Sequence, residues 1–269
     1  MAQTKSLSVV LIMLTASLAG CFGGDGGDLE DYSGPIDLVV YFDTTSGMIE
    51  ISQNNNGGPG TNDGVELKFE FDETTSDEGR IIKITLDPDD GSNIVEGDPA
   101  DNAELSYIWL THGVFDVMLG AEDDAGNTHS IMVKVRIDMH MVWTDQNTDS
   151  SSMQIDATPD CADGAPLPER ITFTSEAENP GAAGFLPGGG GPSDVTWTFN
   201  NPDGTEIWSD SGNIPDGGSE TRDYSTTDTA AGIWTLNVDV ADNGDDINVN
   251  NDVTIAYAEG SEDPTNPRG

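Results

Sequence analysis

Oxygen-bearing side chains are concentrated in one segment near the end of this 269-residue chain, and they could hold a hard cation. Calcium takes six to eight oxygen ligands, which suits a segment made of carboxylates and carboxamides. Acidic turns in an acidic protein are also commonly no more than solvated turns, and both interpretations stay open. The candidate calcium ligands are Asp242, Asp245, Asp246, Asn248, Asn250 and Asp252.

A second, smaller group of acids consists of Asp87, Asp89 and Asp90. Neither group has the ligand spacing of an EF-hand loop. Gly91 stands where a third acid would be expected after Asp87, and no glutamate closes the loop. The sequence therefore offers calcium as one hypothesis and no standard motif for it.

The residue patterns that usually carry catalysis are missing from the sequence. No G-x-S-x-G, H-E-x-x-H, C-x-x-C or P-loop pattern occurs. His112, His129 and His140 have no compact metal-ligand spacing, and we expect solvent-facing or cap-like roles for the first two. Acidic neighbours should raise the pKa of the Cys161 thiol, which argues against a nucleophile. We predict a protein that is not an enzyme and has no cofactor other than the calcium considered above.

The charge balance limits the partners of the chain. Fifty Asp and Glu face nine Lys and Arg, a formal net charge of -41. Nucleic acid and anionic membrane surfaces are poor partners for such a chain. Molar salt shortens the Debye length to about 3 Å and suppresses the self-repulsion. The charge favours a halophilic habitat, with an ordinary saline medium as the alternative.

The first 20 residues have the pattern of an export signal. Lys5 precedes an apolar run from Leu7 to Leu18, which is shorter than the 20 or so residues of a membrane span. Leu18-Ala19-Gly20-Cys21 resembles the prokaryotic lipobox, which implies removal of residues 1–20 and lipidation of Cys21. An ordinary signal peptide with a coincidental cysteine is the alternative. With Cys21 lipidated, Cys161 has no intramolecular disulfide partner.

Apolar residues with period two dominate the rest of the chain, so we predict an all-β protein. Residues 65–71 show it best, with four apolar side chains alternating with Glu, Lys and Glu. After a flexible tether at 21–34, the spacing predicts two tandem Ig-like or jelly-roll β-sandwich domains at 35–138 and 139–258, then a disordered tail at 259–269. The predicted strands are 36–42, 65–71, 80–86, 105–110, 115–121, 131–137, 139–143, 153–157, 170–173, 195–199, 205–208, 233–240 and 253–257.

An internal repeat supports this division. Gly113 to Asp123 and Gly232 to Asp242 share a pattern of glycine, four alternate apolar residues and aspartate. The aspartate is predicted to begin a turn through its side-chain oxygen, so that each domain ends in a similar hairpin. Common descent and the general grammar of β-hairpins explain the repeat equally well.

Two stretches resemble known families. Gly113 to Thr128 resembles the closing hairpin of PKD-type (polycystic kidney disease) Ig-like domains, and the similarity covers about residues 65–138. That resemblance implies a spacer or adhesion module. Val195 to Thr205 with Gly232 to Leu236 resembles the jelly-roll domains that accompany proprotein convertases and bacterial peptidases, which implies a stabilising or targeting module.

These features predict a non-catalytic cell-surface lipoprotein in adhesion, binding or envelope architecture, from a halophilic or marine archaeon. It would be held on the extracellular side of the membrane by its lipid, with other surface proteins or glycans as partners. The alternative is an accessory or targeting subunit of a secreted hydrolase or peptidase. The glycine-rich segment 181–191 is predicted to be a loop, either a simple connection or a mobile binding loop.

Overall fold

The computed structural model describes residues 33–55, 60–159, 165–181, 190–241 and 245–268. The protein is all-β, as predicted. The predicted signal peptide, Cys21, Cys161 and most of the glycine-rich loop lie outside the described residues. The strands are β1 (Ile36–Asp37), β2 (Ser46–Asn54), β3 (Thr61–Asp63), β4 (Val65–Glu70), β5 (Thr75–Ser76), β6 (Ile81–Asp87), β7 (Val95–Gly97), β8 (Glu104–Trp109), β9 (Gly113–Asp123), β10 (Thr128–Thr148), β11 (Ser150–Asp156), β12 (Arg170–Glu178), β13 (Ser193–Asn200), β14 (Glu206–Ile214), β15 (Ser219–Thr226), β16 (Ile233–Val240) and β17 (Ile247–Ala256).

The first sandwich packs the sheet β7-β6-β9-β10 against the antiparallel pair β4-β8. Alternation in the sequence accounts for the facing surfaces, since Leu67 and Phe69 of β4 are buried while Glu66 and Lys68 between them are exposed. Trp109 at the end of β8 is fully buried, and its ring lies 6.1 Å from that of Phe115 on β9. Large aromatic side chains therefore form the centre of this core.

The second sandwich packs β15-β12-β17-β10 against β11-β16-β13-β14. Trp197 of β13 is buried at its centre, where its indole nitrogen donates a hydrogen bond to Ser175 Oγ over 3.0 Å. The Ser175 hydroxyl in turn donates to Asn251 Oδ1 over 2.6 Å. This chain of polar contacts joins the two facing sheets inside an otherwise apolar core.

Strand β10 belongs to both sandwiches. Residues 128–137 pair with β9 and residues 139–148 pair with β17, while β2 runs parallel to residues 136–144. Because a strand has only two edges, β9 and β17 follow one another along one edge and β2 occupies the other. The strands predicted at 131–137 and 139–143 are one continuous strand, and the predicted boundary between residues 138 and 139 falls inside it.

The turn after β9 is closed by Asp123, and the predicted role of this side chain is confirmed. Asp123 Oδ1 accepts hydrogen bonds from the backbone N–H groups of Ala125 and Asn127, and Oδ2 accepts one from Ser76 Oγ. The Asn127 carboxamide also donates to Asp123. The hydrogen bonds from Asn127 and Ser76 outweigh burial and lower the pKa of Asp123 to about 2. Asp242, its counterpart in the repeat, lies outside the described residues.

The segment 259–268 was expected to be a disordered tail, but it packs against the first sandwich. Backbone hydrogen bonds pair Asn266 with Phe42, and Asp263 accepts the backbone N–H of Lys134 over 2.8 Å. The Arg136 guanidinium bonds both carboxylate oxygens of Glu262. These specific partners, and not hydrophobicity of its own, hold the segment in place.

One predicted strand is shorter in the structure, and two long strands were not predicted. The predicted strand 36–42 is reduced to β1 and two isolated bridges at Tyr41 and Phe42. β2 and β15 were not predicted at all, because polar residues occupy both faces of each. Among the described residues, no helix is long and apolar enough to cross a membrane.

Candidate functional site

A cleft of about 510 Å³ opens beside β10 where the two sandwiches meet. It is formed by four parts of the chain: the end of β2, the connection from β8 to β9, the second half of β10, and β11 with the residues after it. The lining residues are Ile51, Gln53, Leu110, Thr111, His112, Met139, Met141, Trp143, Gln154, Asp156, Thr158 and Pro159.

Pairing of β2 with β10 determines the floor of the cleft. In the parallel register, Met141 lies opposite Ile51 and Trp143 lies opposite Gln53. Residues opposite one another in a parallel pair point to the same face, so an apolar pair is followed by a Trp–Gln pair. The floor therefore changes from apolar at Met141 to half polar at Trp143.

Trp143 is the residue of the cleft with the most evident binding potential. It is only partly buried, whereas Trp109, Trp197 and Trp234 are core residues. Its indole Nε1 is buried and has no hydrogen-bond partner within the described part of the chain. Because this donor is buried, the exposed part of the indole that faces the cleft is apolar.

Polar side chains line the same cleft as this indole. The carboxamides of Gln53 and Gln154 and the carboxylate of Asp156 are exposed at the cleft. A carboxamide both donates and accepts hydrogen bonds, whereas an ionised carboxylate only accepts. The arrangement combines an aromatic surface with mixed donors and acceptors, as small-molecule sites commonly do.

His112 fixes the position of one wall relative to the other. Its Nε2–H donates to the backbone carbonyl of Asp156 over 2.9 Å, which leaves Nδ1 to accept from the Tyr257 hydroxyl over 2.8 Å. The ring is buried, so the prediction of a solvent-facing or cap-like role for His112 is wrong. Two partners in the second sandwich draw the ring inward, because a buried imidazole needs both nitrogens satisfied.

The predicted calcium ligands are described except for Asp242, which lies outside the described residues. Asn248, Asn250 and Asp252 occupy alternate positions of β17, on one face of the strand, with successive members about 7 Å apart. Asp245 Oδ2 accepts the backbone N–H of Gly191 over 2.7 Å. Within the described residues, no three His, Cys, Asp or Glu side chains are placed to hold a metal ion.

The smaller acidic group serves the β6–β7 turn and its surroundings. Asp89, at a positive φ of 62°, accepts the backbone N–H of Asp116 through Oδ2 over 2.9 Å. Asp90 Oδ2 accepts the Tyr107 hydroxyl, and Asp87 Oδ1 accepts the backbone N–H of Asp89. Burial raises the pKa of Asp89. These carboxylates are thus engaged by donors of the protein itself.

The other two histidines lie outside the cleft. His129 Nδ1 is 3.1 Å from the backbone carbonyl of Ile36. His140, on the outer face of the β2-β10-β17 sheet, bridges Glu50 at 2.5 Å and Asp252 at 3.0 Å. Burial works against its protonation, but the hydrogen bonds that the ring donates to Glu50 and Asp252 prevail and raise the pKa of His140.

Sequence reasoning found none of the groups that give the cleft its chemistry. Trp143 was assigned to a strand, but nothing in the alternation separates it from core residues. Gln53 belongs to the strand that was not predicted, and Gln154 has the ordinary polar position of a solvent-facing strand residue. The one available signal was Trp143 itself, an aromatic residue followed by the polar run Thr-Asp-Gln-Asn-Thr.

Comparisons with known proteins give no family. No protein-family description matches the sequence, and no curated protein does. Among solved structures, the chain is similar to carbohydrate-binding modules of the β-sandwich superfamily (12% identity, TM-score 0.30, covering 85% of this chain and 100% of that one). It is also similar to tripeptidyl peptidase 2, with 9% identity and a TM-score of 0.25, covering 82% of this chain and 20% of that one. A structure of CBM51-2 and INT domains from Clostridium perfringens ZmpB is similar too, with 13% identity and a TM-score of 0.23, covering 82% of this chain and 49% of that one. Scores this low leave the assignment of function to the site itself.

Proposed function

We propose that this protein is a non-catalytic binding protein of the cell envelope that recognises a glycan through the cleft beside β10. The observation that carries the proposal is Trp143, a partly exposed indole in a cleft that is also lined by the carboxamides of Gln53 and Gln154. The other large aromatic groups of the described residues are mostly committed to the two cores.

Sugar rings match this chemistry. A pyranose has an apolar face of C–H groups and a rim of hydroxyls that each donate and accept. The exposed part of an indole offers an apolar surface for that face, and carboxamides offer both kinds of hydrogen-bonding group to the hydroxyls. The rigid strands β2, β10 and β11 hold most of these side chains, so little ordering would be needed on binding.

The place of action follows from the N-terminal pattern and the charge. Lipid attached to Cys21 would hold the protein at the outer side of the membrane, with residues 21–34 as tether and the sandwiches in a saline medium. Substituting Cys21→Ser should release the protein into the medium or leave an unprocessed precursor. Equal membrane retention of the variant and the wild type would contradict the anchor without affecting the cleft.

Binding is tested with Trp143→Ala against a panel of soluble polysaccharides, by calorimetry and affinity electrophoresis in molar sodium chloride. We expect the wild type to bind at least one polymer and Trp143→Ala to lose at least about tenfold in affinity, equivalent to 1.4 kcal/mol. Met118→Ala is the matched control, because Met118 is 38% exposed on the outer face of β9, away from the cleft. If the wild type bound no polysaccharide, or if Trp143→Ala and Met118→Ala bound with equal affinity, the proposed glycan site would be refuted.

A further inference from the structure

The charges around the cleft restrict the glycan class, an inference that rests on the proposed function. Asp156 is an exposed carboxylate of the lining, and no Lys or Arg is among the described residues that form it. Asp145, the next residue on the same face of β10 after Trp143, is buried and accepts a hydrogen bond from Asn55 over 3.2 Å. The carboxylates in and beside the cleft thus have no cationic side chain within it.

Most Lys and Arg side chains in the described part of the chain are committed to its own carboxylates. Six of them are in ion pairs: Lys68, Lys83, Lys134, Arg136, Arg222 and Arg268. The lining of the cleft also contains His112, whose two ring nitrogens form hydrogen bonds with the Tyr257 hydroxyl and the backbone carbonyl of Asp156. An acidic ligand would therefore bring its charge to a place with acceptors and no opposite charge.

We infer that the cleft selects uncharged glycans and rejects those that carry uronate, sulfate or phosphate groups. Uncharged hydroxyls can donate to Asp156 and to the Gln53 and Gln154 oxygens, whereas an ionised ligand carboxylate can only accept. An ionised ligand carboxylate would find donors in the two carboxamides, but it would also lie in the same cleft as Asp156. Salt screens exposed charges such as that of Asp156, so this selection is stronger in dilute salt than at molar salt.

The test compares each polysaccharide of the panel with the same polymer oxidised at C6 to the uronate, in about 0.1 M and about 1 M sodium chloride. We expect the uncharged polymer to bind and its oxidised form to bind at least about tenfold more weakly at about 0.1 M, with a smaller difference in affinity at about 1 M because salt screens the exposed carboxylate. Asp156→Asn should narrow that difference, while Asp210→Asn, a carboxylate distant from the cleft on β14, should leave it unchanged.

The outcomes separate this inference from the proposed function. If the oxidised polymers bound as tightly as the uncharged ones or more tightly, and Trp143→Ala lost this binding, the selection for uncharged glycans would be overturned. Glycan binding at the cleft would then still stand. Binding of neither form would overturn the proposed function itself. Trp143-dependent binding of an oligolysine peptide in place of any polysaccharide would overturn both.

Discussion

Arg136 joins three parts of the chain, and its removal gives the sharpest test of how the sandwiches are held together. Its Nη1 donates to Asp138 Oδ2 over 2.6 Å, and its Nε donates to Glu262 Oε2 over 2.9 Å. The three side chains are only 15%, 11% and 19% exposed. Asp138 also accepts the backbone N–H of Tyr257, so the network connects β10, the end of the second sandwich and segment 259–268.

Substituting Arg136→Met keeps the aliphatic volume and leaves Asp138 buried with one donor. Breaking a buried ion pair costs about 3–5 kcal/mol, and the remaining exposure lowers our expectation to about 2–3 kcal/mol. For a protein of this size that corresponds to a fall in Tm of about 4–12 °C. Because burial raises the pKa of Asp138, the double variant Arg136→Met/Asp138→Asn should recover part of the loss.

The assay is thermal unfolding in molar sodium chloride, followed by circular dichroism. Arg268→Met is the matched control, since Arg268 is 46% exposed and its partners Asp72 and Glu70 are 42% and 46% exposed. An exposed pair contributes at most about 1 kcal/mol. If Arg136→Met lost no more stability than Arg268→Met, the reasoning about this network would be refuted.

Three other predictions concern salt and pH. Tm should rise from low to molar sodium chloride and then level off as the Debye length approaches about 3 Å, while millimolar calcium adds nothing further; a flat salt profile would contradict the role given to the net charge. The pKa of His140 is raised in the fold, so its stabilising contribution is complete below about pH 6.5 and is lost as the pH rises through the folded value. His140→Gln should remove that dependence, which is worth up to about 1 kcal/mol for a partly exposed pair, and an unchanged pH profile of Tm would disprove it. The pKa of Asp123 is lowered to about 2, so its contribution is present above about pH 4 and is lost as the pH falls through 2; Asp123→Ala should unfold at lower temperature at pH 7 and lose less than the wild type on acidification.

Much of the fold could be predicted from the sequence because alternation and burial coincide in most strands. The predicted strand 65–71 is β4, and the strand predicted at 233–240 is β16. β15 was missed because its inward positions include Glu220 and Arg222. Arg222 lies 4.7 Å from the Trp197 ring centroid and pairs with Asp210, so a charged residue fills a place where the pattern expects an apolar one.

The candidate site was beyond prediction for a different reason. Its walls come from segments separated by about a hundred residues, and only the parallel pairing of β2 with β10 brings Gln53 beside Trp143. Parallel pairing leaves no local signature, since no tight turn joins the two strands. Similarly, the Arg136–Glu262 pair spans 126 positions, and nothing in the segment 259–268 itself indicates a partner.

The pairing of β2 has a consequence for how the protein matures after synthesis. β2 lies within the first 54 residues, but the part of β10 that pairs with it ends at residue 144. Phe42 likewise pairs with Asn266, which is close to the C-terminal end of the described residues. If the chain is exported N-terminus first, as we propose, β2 can pair with β3 early, but its other edge stays open until β10 follows, on a strand that carries Met48, Ile49 and Ile51. Contacts so distant in sequence also close slowly. Cells that make this protein should need to shield that strand until the later half of the chain has followed it.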